Sequence, residues 1–141
     1  MDAKQWLERA RYAEIEIKEL TELKDRIMAS LQGGSLNIEG ERVQTSVDNH
    51  TEQMLEEYAD TVRMINVQIA EREIARKEIL KAVATIEDER VRILLILRYL
   101  KNKTWGEIAE ELHYSQQHVI ANLHRKALRE IKEYIKVYRI L

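Results

Sequence analysis

The chain has 141 residues, a formal net charge of −2, 34% charged and 45% hydrophobic residues, four Gly, and no Pro, Cys or Phe. Without Cys there can be no disulfide, thiolate metal site or cysteine nucleophile, and without a long apolar run no membrane span or secretory leader is expected, so the chain reads as cytoplasmic. A Pro-free chain rich in Glu, Lys, Arg, Leu and Ala predicts an all-α fold built from long helices.

The first helix is predicted from Asp2 to Leu31. Its apolar residues Trp6, Ala10, Ala13, Ile17, Leu20, Ile27 and Leu31 recur at steps of mostly three and four, with Lys24 interrupting one seam position. That is a heptad pattern, and a helix carrying it must bury the stripe against another helix. Gly33 and Gly34 are expected to end it, since Gly accepts the left-handed conformation of a helix C-cap. Residues 35–48 follow no helical period and are read as a loop at about 32–48 or a small hairpin.

A second helix is predicted from Asp48, a good N-cap, to Thr85. Leu55, Tyr58, Val62, Ile65, Ile69, Ile79, Val83 and Ile86 form its stripe. Arg72 and Arg76 hold the intervening seam positions, where the stripe either drifts toward Ile74 and Ala75 or outruns its partner. The two helices make a long, coiled-coil-like hairpin over residues 1–86, and the overhang of the longer one offers a dock for the C-terminal module. The same spacing also admits pairing between chains as a homo-oligomer.

From Glu87 the pattern changes. Val91 to Leu100 is too apolar for a two-helix seam and predicts a short helix buried on more than one side, broken at Lys101-Asn102-Lys103. Thr104 is then an N-cap whose capping box is completed by Glu107. The helix from Trp105 to Leu112 turns Ile108, Ala109 and Leu112 inward. His113-Tyr114 makes a turn, and Ser115 caps a last helix, predicted to reach about Tyr138, whose inward face is Val119, Leu123, Ala127 and Ile131. A small residue at Ala109 and an apolar lock at Val119 are what two short helices crossing steeply require. Residues 87–141 therefore read as a helix-turn-helix DNA-binding domain. Gln116, Gln117, His118, Asn122 and Arg125 are left facing outward, where amides can bond adenine and guanidinium can bond guanine. Lys103, Thr104, Tyr114, Ser115 and Lys126 fall where phosphates would pass. Charge agrees in sign. From Arg90 onward eleven Lys/Arg face five Asp/Glu, whereas residues 1–89 hold twelve against twenty.

The stretch with Leu94-Leu95, Arg98-Tyr99, Thr104-Trp105, Glu107-Ile108-Ala109, Leu112, Ser115, Val119 and Ala127-Leu128 resembles region 4 of bacterial sigma factors. In layout the whole chain is similar to small phage proteins of Gram-positive bacteria related to the ArpU and RinA late-gene regulators. His113 stands where such modules usually carry Gly, and nothing matches the sigma segment that melts DNA. The resemblance implies a regulator of phage or prophage genes in a bacterial host cell, binding double-stranded DNA and acting with host RNA polymerase, which in such modules meets the region holding Glu107, Glu110 and Glu111. It points away from an enzyme. No catalytic, cofactor-binding or metal-ligating set is read in the chain; His113 and His118, five apart, lack further ligands to complete a zinc site. Two other readings share the pattern: a small terminase-like DNA-packaging subunit, and an RNA polymerase-binding adaptor that does not read DNA.

Overall fold

The computed structural model describes residues 1–31 and 45–138, and all regular structure among them is helical. The expected Gly33-Gly34 stop and residues 35–44 of the loop or hairpin expected over 35–48 lie outside the described residues, while 45–48 of it are helical instead. Helix α1 runs Ala3–Ala29 and α2 runs Thr45–Ala84, which starts three residues ahead of the expected Asp48 cap. Together they form the long N-terminal hairpin. The chain separates into two compact units, one joining Met1–Ile15 with the chain from Arg72 onward, the other spanning Glu16–Glu71.

In the Glu16–Glu71 unit, two helical segments lie antiparallel, with Lys24 Nζ donating to Asn66 Oδ1 at 3.3 Å. Ile65 is buried, while Ile17, Leu20, Ile27, Tyr58, Val62 and Ile69 are half-buried, as a seam between only two helices must be. Leu55, placed on that seam from the sequence, is exposed.

The other unit holds the core. Trp6, Leu7 and Ala10 of α1 and Ile79, Ala82 and Val83 of α2 join Val91, Leu94, Leu95, Tyr99, Ile108, Val119, Ala127 and Ile131 in one buried cluster. The C-terminal helices thus pack on both α1 and α2 at the hairpin root, not on an overhang of α2 alone. Arg9 Nη2 bridges to Glu78 at 3.0 Å and Arg76 Nη2 to Glu14 at 3.0 Å across that root. Arg76 also donates to the Leu100 carbonyl at 3.3 Å, which explains an arginine on an otherwise apolar seam. Ile74 is exposed, so the stripe does not drift toward it.

Helix α3 (Glu89–Leu95) is capped by Asp88, whose carboxylate accepts from the Arg90 and Val91 amides. It widens into a π-helical turn over Ile96–Leu100 and stops at Asn102, which takes φ 54°. Asn102 is fixed from the hairpin root: its Oδ1 accepts from Arg11 Nε and its Nδ2 donates to the Arg11 carbonyl, both at 3.3 Å. Helix α4 (Trp105–Leu112) comes next, then α5 (Gln116–His118), which passes through a second π-helical turn over Val119–Leu123 into α6 (His124–Tyr138).

The wide turn in the last helix has a reason in the sequence. Val119, Leu123, Ala127, Ile131 and Ile135 are all buried and each lies four residues beyond the last. In a plain α-helix, four residues overshoot a full turn by about 40°, so five such positions would wind off the core. The π-turn rotates less per residue and takes part of that drift back.

Candidate nucleic-acid interface

The segment from Thr104 to Arg125 is held by local hydrogen bonds that the sequence itself specifies. Thr104 Oγ1 accepts from the Glu107 amide at 3.1 Å, and Glu107 Oε1 accepts from the Thr104 amide at 2.9 Å. This capping box satisfies two otherwise orphaned amides and holds the Glu107 carboxyl below its usual range. At the other end of α4, His113 caps in the left-handed region at φ 60°, ψ 41°, its amide bonded to the Ala109 and Glu110 carbonyls. Ser115 then caps α5, its Oγ accepting from the His118 amide at 3.1 Å. Ile108 and Ala109 of α4 are buried with Val119, whereas Leu112 is only half-buried.

A β-carbon at φ near +60° costs roughly 1 kcal/mol that glycine avoids. His113→Gly is therefore expected to stabilise the fold by about 1 kcal/mol, read as a raised urea midpoint with an unchanged slope. A lowered midpoint would mean that the His113 side chain itself holds the turn.

The predicted contact residues divide into three groups. Tyr114, Ser115, His118 and Asn122 come together: the Tyr114 and His118 rings lie 4.7 Å apart, and Asn122 Nδ2 meets His118 Nδ1 at 2.9 Å. Arg90 of α3 joins them, donating to the Tyr114 hydroxyl with its guanidinium 5.7 Å from the ring centre. Beside them Gln116 and Gln117 are exposed, and Gln116 Oε1 leans over α4, 3.7 Å from where a Cβ on Gly106 would stand. Exposed Ile120 adds an apolar group to this surface. Neither Arg90 nor Ile120 stands out in the sequence, because Arg90 is 24 residues from its partner and Ile120 has the apolar character of a core residue.

The second group is tied up elsewhere. Lys126 Nζ bonds Asp88 Oδ2 at 2.6 Å, which holds the Asp88 carboxyl below its usual range and raises Lys126 above its own. Lys103 lines a hollow of about 520 Å³ with Leu97, Glu107, Glu110, Glu111 and His113, an acidic setting for a cation expected at phosphate. Thr104 spends its hydroxyl on the capping box. Arg125 stands alone as the third case: it is exposed and lines a groove with the N-terminus of α1.

Behind the exposed residues sits a buried polar cluster that keeps α3, α4 and α6 in register. Tyr99 Oη and His124 Nε2 are 2.6 Å apart, and Trp105 meets the His124 ring edge-on at 4.7 Å. The Arg98 guanidinium lies 4.2 Å over Trp105 and donates to the Lys103 carbonyl at 3.1 Å. Burial pushes the Tyr99 hydroxyl up, and burial together with nearby Lys4 and Arg98 lowers His124 to about 4. Tyr99 and Trp105 thus serve packing, and the cluster does not reach the exposed amides.

Among the described residues no group of three or more His, Asp or Glu is placed to hold a metal ion, and no helix is long and apolar enough to cross a membrane. No family model, curated protein or solved structure matches the chain.

Proposed function

We propose that the chain is a sequence-specific DNA-binding regulator of phage or prophage transcription, in which α4 and α5 act as a helix-turn-helix pair and the start of α5 enters the major groove. The observation that carries this reading is the run Gln116, Gln117, Asn122 and Arg125, exposed on a helix that Ser115 caps and Val119 anchors directly after the His113 turn. Amides and guanidinium can make paired bonds to adenine and guanine edges, and Ile120 suits a thymine methyl. The Ser115 cap leaves amides of the first turn directed at any phosphate that passes. The exposed carboxylates of Glu110 and Glu111 lie outside this surface and support a role in meeting host RNA polymerase rather than DNA.

The test is binding of the full chain to duplex fragments tiled across the neighbouring phage genome at two salt concentrations. One fragment is expected to bind tightly and to weaken with salt as phosphate counterions are released. Gln117→Ala and Arg125→Ala are each expected to cost about 1–3 kcal/mol on that fragment without loss of helicity, since both side chains are exposed. Uniform or absent binding at low salt overturns the reading, and transcription effects that survive both substitutions indicate an adaptor that grips the polymerase alone. A large ring bound beside packaging genes would instead mark a terminase-like subunit.

A further inference from the structure

The first turn of α1 and the face of α6 around Leu128 and Ile135 border an open groove of about 590 Å³. Its floor is apolar, made by Ala3, Leu128 and Ile135, which pack against the core beneath. Its rim is cationic, with Lys4 on one side and Arg129, Lys132 and Lys136 on the other, and Arg125 continuing the row toward α5. Asp2 is the one acid in the lining, and its carboxylate already accepts the Gln5 amide at 2.8 Å.

Arg125, Arg129, Lys132 and Lys136 succeed one another at steps of four, three and four, so they line one edge of α6 for about three turns, or ~16 Å. Like charges at such spacing repel. None of the rim cations forms an ion pair with a described carboxylate, although Glu133 stands one turn beyond Arg129. The described residues therefore leave a row of repelling cations beside an apolar floor that is half-open at Ala3 and Leu128 and open at Met1. Duplex DNA would supply phosphates but nothing to cover half-buried Leu128 or the exposed Met1 side chain beside it, and a small anion would leave the same groups wet. A helix with leucine-like residues on one face and carboxylates along its flanks satisfies both features.

We propose that this groove docks an acidic amphipathic helix of a partner protein. The site is distinct from the amides of α5, and Arg125 is the one residue common to both surfaces. A DNA-bound chain would thereby carry a second protein along the face of α6 that runs on from Arg125.

The probe is a designed, fluorescein-labelled peptide of about five helical turns, with Leu at one-face spacing and Glu on the flanks, titrated with the full chain and followed by anisotropy. Binding of order micromolar is expected at physiological salt. It should fall by about tenfold or more in Arg129→Glu/Lys132→Glu, two exposed positions whose change is expected to leave the circular dichroism spectrum unaltered. A peptide of the same composition with its apolar stripe scrambled should bind at least about tenfold more weakly. Equal binding of the scrambled peptide, or none of the striped one, overturns the proposal. So does competition by a DNA duplex that persists in Arg125→Ala, where the one shared residue is removed, since it would make the groove a phosphate track, and so does self-association of the chain that the double variant abolishes, which would make the occupant a second copy.

Discussion

Trp6→Ala is expected to destabilise the protein by about 3–5 kcal/mol, although the residue lies far along the chain from α3 and α6, the helices it would weaken. Trp6 is 1% exposed and packs at the root of the hairpin, its ring centre 6.2 Å from that of Tyr134. It belongs to the same cluster as Val91, Leu94, Ile131 and Ile135, so its removal opens a cavity under α3 and α6 rather than fraying an arm. Its indole Nε1 is buried without a partner, so Trp6→Phe loses no hydrogen bond and is expected to cost clearly less than the alanine. Urea unfolding monitored by circular dichroism at the helical band measures both variants. If Trp6→Ala costs less than about 1 kcal/mol, α1 is not part of this core. The same packing predicts that a fragment starting at residue 87 is largely unfolded, because it lacks Trp6, Leu7, Ala10, Ile79, Ala82 and Val83. Addition of 1–86 in trans should restore helicity if only those side chains are missing.

This dependence marks what the sequence could and could not reveal. Thr104 with Glu107, Ser115, the break at Asn102 and the inward row Val119, Leu123, Ala127 and Ile131 were all legible, because each rests on residues within a turn or two of one another. The long stripes of α1 and α2 were legible for the same reason. The π-turn was available in principle from the unbroken steps of four between Val119 and Ile135, yet a helical template hides it by accepting three and four alike. Contacts across distance were not legible. Arg11 holding Asn102, Lys126 held by Asp88 and Arg90 held by Tyr114 link residues 24 to 91 apart, and no local period encodes such pairs. Charge counting gives a sign for each part of the chain but no place for the individual cations. The cations of the C-terminal third divide between the acidic hollow at Lys103, the Asp88 bridge at Lys126 and the groove rim along α6. An outward helical face therefore says which residues are available, and only the tertiary partners say which of them remain free to meet a ligand.

His124 gives the clearest dependence on pH. It sits 7% exposed between Tyr99 and Trp105, and burial first, then the positive Lys4 and Arg98, lowers its pKa to about 4. In the unfolded chain the same ring ionises near 6.5. Above pH 6.5 the ring is neutral in both states and the stability is fully present. As pH falls below 6.5 the unfolded state takes up a proton that the folded state refuses, so stability is lost progressively down to about pH 4 and levels off below it. A shift of that size corresponds to a loss of about 3 kcal/mol. The geometry supplies the reason: a neutral ring protonated at Nδ1 accepts the Tyr99 hydroxyl at Nε2, 2.6 Å away, whereas a doubly protonated ring cannot accept it. Asp88 and Glu107, whose carboxyls are held below their usual ranges, contribute stability lost only at lower pH, as pH drops below about 4.5 toward their folded values. The window between pH 6.5 and 4.5 thus belongs chiefly to His124. Urea midpoints measured across it should fall steadily for the native sequence and stay nearly flat for His124→Gln, which keeps a polar partner for Tyr99 but carries no titrating group. A native profile as flat as the variant's would mean that the ring is solvated or already shares a proton with Tyr99 in the folded state. Because Tyr99, Trp105 and His124 join α3, α4 and α6, protonation there would loosen the seat of α5 itself, and the DNA binding proposed above is expected to weaken over the same interval as stability.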